Sequence, residues 1–258
     1  MPIHPTAIVD ERARIDATAD IGPYSVIGPE VEIGARTRLM GNVYIEGPTW
    51  IGEDNLFFPF GSIGVASQDL KYKGERAETH IGNRNRIREF VTIHRGTAGG
   101  GLKTVVGSDC LLMTYSHVAH DCQIGDHVIL GNSVGLAGHV VIEDWVDVAP
   151  FSGVHQFCRL GKHAFIGPYS VIKQDIMPYS LTSYKPEVSV FGANSVGLER
   201  RGFAKESVEA LQTALRLLTR SNLNTSQAVE RIRAEVPACA EVQELLEFIR
   251  TSERGVVK

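Results

Sequence analysis

Three histidines (His117, His120, His127), two aspartates (Asp121, Asp126) and one cysteine (Cys122) crowd the stretch from Tyr115 to His127. Side chains of these types hold a metal ion, pair a histidine base with an orienting carboxylate, or are merely solvated. A histidine near its ordinary pKa of about 6.5 takes a proton from a hydroxyl at neutral pH. A neighbouring carboxylate fixes which ring nitrogen carries the proton. The choice depends on the elements that position each residue.

Those elements follow a six-residue period. Steps of six from Ile3 meet Val9, Ile15, Ile21, Ile27, Ile33, Leu39, Ile45, Ile51, Phe57 and Ile63. The frame resumes at Ile81, Ile87 and Ile93, then runs from Val106 through Leu112, Val118, Ile124 and Leu130 to Ile172. Four residues after most stops stands a small residue, such as Cys110, Ser116, Cys122, Ser152, Cys158 or Ala164. Neither the 3.6-residue helical period nor plain strand alternation produces this pattern. Hexapeptide repeats do: three hexads close one coil of a triangular prism, and coils stack by parallel ladder bonds. The spacing predicts a parallel β-helix of about nine coils over residues 1–191. Both the aliphatic and the small position face inward. Glycines that often follow the aliphatic (Gly22, Gly28, Gly34, Gly107, Gly125) suit a bend with positive φ or a close backbone approach. Polar stretches at 64–80 and 97–104 break the frame and are predicted to leave the prism as loops.

Within this frame Cys110, Cys122 and Cys158 are core fillers, which removes the thiolate from a metal site. Residues 18 apart stack on adjacent coils, so Gly138 lies above His120, Gln156 above Gly138, and His139 above Asp121. None occupies an inward slot. His120 is the candidate general base, and the Gly138 N–H faces a developing oxyanion. Asp121 is a candidate partner for His120, although neighbours on a strand point apart. Gamma-class carbonic anhydrases bind zinc on this prism through a HisxxxxHis pair. No two histidines here have that spacing, and no metal site is expected.

Composition narrows the class. The 258 residues are 43% hydrophobic and carry a formal net charge of -4. That argues against nucleic acid, which demands a clustered positive field. No segment has the roughly 18 apolar residues of a membrane span. The first residues lack a signal-peptide pattern, and the four cysteines lack CxxC spacing, so a cytoplasmic location is expected. From 192 to 258 a small helical domain is predicted. Val208, Leu211, Leu215 and Leu218 share one helical face, Asn224 or Thr225 caps the next helix, and Pro237 ends it.

With these features assembled, the chain resembles the bacterial UDP-N-acetylglucosamine O-acyltransferases over nearly its whole length. The matching segments are Gln68–Glu75 (QDLKYKGE), Arg84–Glu89 (RNRIRE), Val91–Thr97 (VTIHRGT), His117–Cys122 (HVAHDC), Leu136–Val140 (LAGHV), Val154–Cys158 (VHQFC) and Arg200–Phe203 (RRGF). The resemblance implies left-handed coiling and a cytoplasmic homotrimer with sites between subunits. It also implies transfer of an (R)-3-hydroxyacyl group from acyl carrier protein to the sugar 3-hydroxyl, the first step of lipid A biosynthesis. No cofactor is implied beyond the phosphopantetheine that carries the acyl group. His120 is then the base, Asp121 its support and Gly138 the oxyanion donor. Asp69 and Lys71 hold the glucosamine. His117, His139, His155 and Gln156 line the cleft, and Asn194, Arg200 and Arg201 contact the nucleotide.

Two departures stand out. Val196 occupies a position where the family commonly has an acidic residue, and the segment Ser183–Phe191 is one residue longer than usual. Pro168 and Tyr169 stand where long-chain members keep small residues, so the expected acyl chain is short, near about ten carbons. Arg84, Arg86, Arg88, Lys162 and Lys173 offer positive charge to an acidic carrier. The competing readings are the related N-acyltransferase, a variant acylating a 3-amino sugar, and a non-catalytic prism. The N-acyltransferase carries an N-terminal uridine-binding domain, for which a frame starting at Ile3 leaves no room. A non-catalytic prism predicts no ejected loops and no His/Gly/Gln column.

Overall fold

A computed structural model describes residues 3–184 and 187–258. The chain winds as a left-handed parallel β-helix of short strands, almost all two to four residues long, in three parallel sheets. The first face runs from Ile8–Val9 to Val171–Ile172 in nine strands, and the second from Arg14–Ile15 to Arg159–Leu160 in eight. The third begins at Asp20–Ile21 and runs to Phe165–Ile166. There an antiparallel hairpin, Ser180–Tyr184 with Val188–Ala193, extends it. Lys185 and Pro186, inside the segment expected to be longer than usual, lie outside the described residues.

The aliphatic frame is the core: Ile21, Leu39, Ile63, Ile93, Leu130 and Ile172 are fully buried. Each such side chain contributes about 1.5–3 kcal/mol by leaving water. The small slot is inward too. Cys122, Ser116 and Ala164 are fully buried, and burial pushes the Cys122 thiol up to about 12, so it stays protonated.

The bends differ from expectation. Gly22, Gly34, Gly107 and Gly125 do not take positive φ. They are required by close approach: a Cβ on Gly22 would lie 2.5 Å from the Leu39 carbonyl oxygen of the next coil. The left-handed corner falls two residues later and is occupied by non-glycine residues, among them Tyr115, Asp121, His127, Ser133, His139, Trp145, Phe151 and Phe157. That conformation costs roughly 1–2 kcal/mol for a residue with a Cβ. Ring stacking along the corners offsets part of it. His127 stacks on Trp145 at 3.8 Å, and Phe90 stacks on both Phe60 (5.0 Å) and Tyr115 (4.8 Å).

Four helices follow: α1 (Ser195–Arg200), α2 (Lys205–Arg220), α3 (Thr225–Glu235) and α4 (Ala240–Thr251). Val208, Leu211, Leu215 and Leu218 are buried on one face of α2. Asn224 and Gln227 form a reciprocal capping box at the start of α3. The C-terminal segment pairs with the end of the prism, where Val257 N–H donates to the Asp175 carbonyl at 2.9 Å.

Candidate active site

Both interruptions leave the prism between the first and second faces, on consecutive coils. The first lies between the strands Ser62–Val65 and Glu78–Ile81, the second between Thr92–His94 and Lys103–Val106. The next three turns at that corner hold His120–Asp121, Gly138–His139 and Gln156–Phe157. One edge therefore carries two loops and, directly beyond them, the column predicted from the 18-residue register.

His120 and Asp121 lie in a turn, not on a strand. Asp121 takes φ +61°, which swings its carboxylate to the side of the His120 ring. Nδ1 of His120 lies 2.7 Å from Oδ2 of Asp121. Contrary to the expectation that strand neighbours point apart, the two side chains meet, because strand alternation does not apply in a left-handed corner. The carboxylate is completely buried, and every partner it needs comes from the prism edge and the second loop. Thr97 N–H donates to Oδ1 at 2.8 Å and Thr97 Oγ1–H to Oδ2 at 2.6 Å, while Asp121 N–H donates to Thr104 Oγ1 at 2.8 Å. Gly100 packs on the same carboxylate so tightly that a side chain there would overlap it. With Nδ1 directed at Asp121, Nε2 of His120 is the free acceptor.

Gly138 sits one coil above. A Cβ on it would lie 2.5 Å from Nε2 of His120, so only glycine leaves the ring its position. Its carbonyl accepts from Phe157 N–H at 3.3 Å, and among the described residues its own N–H has no partner. It is a free donor beside the free ring nitrogen.

Neutral histidines surround the base. Burial pushes His94 down to about 4, helped by nearby His117 and His120. Burial, then His120, lowers His117, whose Nδ1 is 2.7 Å from Thr92 Oγ1. Burial also lowers His139, against the pull of Asp121; its ring stacks on Phe157 at 4.4 Å. His120, Asp121 and His139 bring potential metal-ligand atoms within 4.8 Å. Both Asp121 oxygens, however, already accept from Thr97 and His120, which fits an orienting carboxylate better than a ligand.

Comparison with known proteins agrees with this geometry. The family described as UDP N-acetylglucosamine O-acyltransferase, domain 2, matches residues 175–257, and the bacterial transferase hexapeptide (six repeats) matches 103–138. An acyl-[acyl-carrier-protein]--UDP-N-acetylglucosamine O-acyltransferase from Thermodesulfovibrio yellowstonii is 45% identical over 99% of both chains. One from Herminiimonas arsenicoxydans is 46% identical over 99% of both. The UDP-N-acetylglucosamine acyltransferase structure from Bacteroides fragilis superposes with a TM-score of 0.97 at 41% identity, covering 99% of this chain and 100% of that one. The chain belongs to the UDP-N-acetylglucosamine O-acyltransferase family.

For a UDP-N-acetylglucosamine O-acyltransferase, the site residues inferred from sequence fall into two groups. Asp69, Lys71, His117, His120, His155 and Gln156 line one cleft of about 620 Å³, and His139 adjoins it through its edge-on contact with His120. Asn194, Arg200 and Arg201 do not line that cleft within one chain. Asn194 caps α1 and donates to the His163 carbonyl at 3.0 Å. Arg201 pairs with Asp147 at 3.1 Å, and Arg200 is exposed. Val196 is 61% exposed in the first turn of α1. Pro168 and Tyr169 also lie outside the cleft, at the corner between the third and first faces, with Tyr169 stacked on Phe151 at 5.2 Å.

The basic residues divide as well. Arg84 is held by Asp109, Arg88 by Glu89 and Lys162 by Glu244. Among the described residues, Arg86 and Lys173 have no carboxylate partner, and Lys173 lines the cleft.

Sequence reasoning missed two features of this acyltransferase site. Thr97 and Gly100 pack on the Asp121 carboxylate and Thr104 on its N–H, but nothing in a polar loop reveals which residue it covers. Gly135 and Gly153 are successive outward residues of the first face, in register above His117. A Cβ on either would meet nothing within 4 Å, so packing does not require glycine there. Glycine in a strand costs about 0.5–1 kcal/mol relative to alanine, and it commonly marks close approach of a ligand. Applying the 18-residue step to His117 would have found both.

Proposed function

We propose that the chain transfers an (R)-3-hydroxyacyl group from acyl carrier protein to the glucosamine 3-hydroxyl of UDP-N-acetylglucosamine, the first step of lipid A biosynthesis. The observation that carries this reading is a histidine with its Nδ1 fixed on a buried carboxylate, its Nε2 free, and an unpartnered glycine N–H one coil above. Nε2 of His120 takes the proton of the sugar 3-hydroxyl as its oxygen attacks the thioester carbonyl. The Gly138 N–H donates to the oxyanion of the tetrahedral intermediate; a well-placed donor of this kind contributes about 3–4 kcal/mol. The intermediate collapses, the C–S bond breaks, and the phosphopantetheine thiolate recovers the proton from His120. The products are the 3-O-acyl sugar nucleotide and free carrier protein. No cofactor takes part; the phosphopantetheine arrives with the donor.

Asp69 and Lys71 hold the glucosamine, and His117, His139, His155 and Gln156 shape the cleft around it. Asn194, Arg200 and Arg201 reach the nucleotide from a neighbouring subunit of a homotrimer. An exposed aromatic edge supports that assembly. Tyr24, Phe60, Phe90, Tyr115, Phe151 and Tyr169 run up the corner between the third and first faces and are 41–64% exposed. Asn42 and Ser133 interrupt the row, but an edge this rich in exposed aromatics favours burial against another copy. Pro168 and Tyr169, at the upper end of that edge, help to confine the acyl chain to about ten carbons.

None of the described helices is long and apolar enough to cross a membrane. Four free cysteines suit a reducing cytoplasm. The decisive experiment incubates UDP-N-acetylglucosamine with ten-carbon 3-hydroxyacyl carrier protein. The 3-O-acyl product is expected with the native chain and is absent with His120→Ala. An amide product, or activity only on a 3-amino sugar, would overturn the choice of acceptor.

A further inference from the structure

The two ejected loops are joined to each other by one side chain. Glu75, near the end of the first loop, places Oε1 3.0 Å from the Ala98 nitrogen of the second loop and Oε2 2.8 Å from the Lys73 nitrogen of its own. Both N–H groups donate to the carboxylate. Among the described residues the bond to Ala98 is the single hydrogen bond between residues 66–77 and 97–102. Gly74, at φ +85° with open space around it, makes the left-handed turn that returns Glu75 to the Lys73 N–H. The carboxyl is held below the usual carboxylate range, first by the Ala98 N–H and then by the Lys73 N–H. It is a charged acceptor at neutral pH, and charged acceptors make the stronger hydrogen bonds.

Each end of this tie leads to the site. In the first loop, Lys71 N–H donates to Asp69 Oδ1 at 3.0 Å and Tyr72 N–H to the Asp69 carbonyl at 2.9 Å. The Tyr72 hydroxyl donates to the Glu75 carbonyl at 3.2 Å. The turn that carries Asp69 and Lys71 into the His120 cleft is thus braced on Glu75. In the second loop, the Ala98 N–H belongs to the same planar peptide as the Thr97 carbonyl. That carbonyl accepts from Gly100 N–H at 3.1 Å and Leu102 N–H at 2.9 Å. With both ends of the peptide plane anchored, Thr97 is fixed, and its own N–H and hydroxyl hold the two oxygens of Asp121.

We propose that Glu75 is a positioning residue for the transfer, tying the loop that carries Asp69 and Lys71 to the loop that holds Asp121, so that the sugar subsite and the histidine base share one geometry. The proposal rests on the acyl-transfer reading above and deepens it. Glu75 does not line the cleft. It acts through Thr97 on one side and through Tyr72 and Lys73 on the other. Loss of the tie therefore displaces both ends, and acceptor binding and turnover weaken together. Thr97→Val, which leaves the Ala98 N–H on Glu75, weakens turnover alone.

The test has two parts. Without substrates, Glu75→Ala is expected to speed amide hydrogen exchange over residues 97–102 by about tenfold. The melting temperature should stay near native, because Glu75 lies on a loop outside the prism core. In steady-state assays with UDP-N-acetylglucosamine and a 3-hydroxyacyl carrier protein, Glu75→Ala should lower kcat by about tenfold. It should raise KM for the sugar nucleotide by about threefold or more, with KM for the carrier protein unchanged. In a Thr97→Val background, Glu75→Ala should cost less than about a further twofold in kcat, since both act through Asp121. Glu75→Asp, which shortens the reach to Ala98, should not restore kcat, whereas Glu75→Gln, which keeps one acceptor oxygen, should restore part of it. Native exchange over 97–102 in Glu75→Ala overturns the proposal. So does a native kcat with only KM altered, which would confine Glu75 to the first loop, or a fully additive loss with Thr97→Val. If the native chain forms no 3-O-acyl product, the acyl-transfer reading has failed and the proposal falls with it; the exchange measurement, which needs no substrate, separates that failure from loss of the tie itself.

Discussion

His120 and Asp121 are neighbours in sequence, and their side chains meet: Nδ1 of the imidazole lies 2.7 Å from Oδ2 of the carboxylate. The left-handed corner at Asp121 makes this possible. His120→Ala should lower kcat by about 10²–10⁴-fold, the range for loss of a general base. Asp121→Asn should also lower kcat strongly while leaving KM near native. An amide that donates to Nδ1 leaves the proton on Nε2, which can then no longer accept. Steady-state kinetics of both variants check this; a native kcat in Asp121→Asn would remove the tautomer argument.

Gly138→Ala tests the steric half of the site. The added methyl falls 2.5 Å from Nε2 of His120, so the ring must turn away. A displacement of about 1 Å costs about 10²-fold in rate. The melting temperature should barely change, because the ring can swing into the cleft. A loss of kcat with an intact fold is the expected pair of readings.

Much of this geometry was legible in the sequence. The six-residue frame gave the prism, its inward slots and the register that stacks Gly138 on His120. Where it misled, the cause was a local rule used outside its domain. Glycines such as Gly22 were open to a positive-φ reading, yet they serve close approach, while residues with large side chains occupy the left-handed corners. Asp121 was weighed by strand alternation although it sits in a turn. The contact between Thr97 and Asp121 had no signal at all, since the fold of an ejected loop carries no period. The outward glycines Gly135 and Gly153 did have a signal, one coil-length apart, and lay on positions that a core-directed reading passes over.

The second ejected loop is predicted to act on the rate through Asp121. Gly100→Ala forces a methyl into the carboxylate, and Thr97→Val removes one of its donors. Leaving a buried acceptor short of a donor costs about 1–3 kcal/mol. Both variants should lower kcat by about tenfold or more, with little change in KM for the sugar nucleotide. Thr97→Ser, which keeps the hydroxyl, should restore most of the rate. If Thr97→Val and Thr97→Ser behave alike, the hydroxyl has no part in holding Asp121.

Stability should fall on mild acidification. Burial holds His94 and, with help from Arg201, His163 down to about 4, whereas an unfolded histidine titrates near its ordinary 6.5. Between those values the unfolded chain binds more protons than the folded one. Stability therefore rises with pH across this window and is lost as pH falls through it. The melting temperature is expected to drop by roughly 2–8 °C between neutral pH and about pH 5. His163→Phe, which keeps the ring stack with Tyr179, should shallow that decline. Scanning calorimetry at matched ionic strength checks the slope, and an unaltered slope in His163→Phe would exclude its share.

The separation of Asn194, Arg200 and Arg201 from the His120 cleft makes the assembly testable by complementation. If the nucleotide is held by a neighbouring subunit, a chain carrying His120→Ala still supplies intact arginines to the next site. A chain carrying Arg200→Ala still supplies an intact base. Each variant alone should be impaired. Co-expressed in equal amounts as mixed trimers, they should regain about a quarter of native sites, because one site in four then pairs an intact base with an intact arginine. Sedimentation should report three chains per particle. Recovery of no activity beyond the sum of the separate variants would mean that each site is built from a single chain.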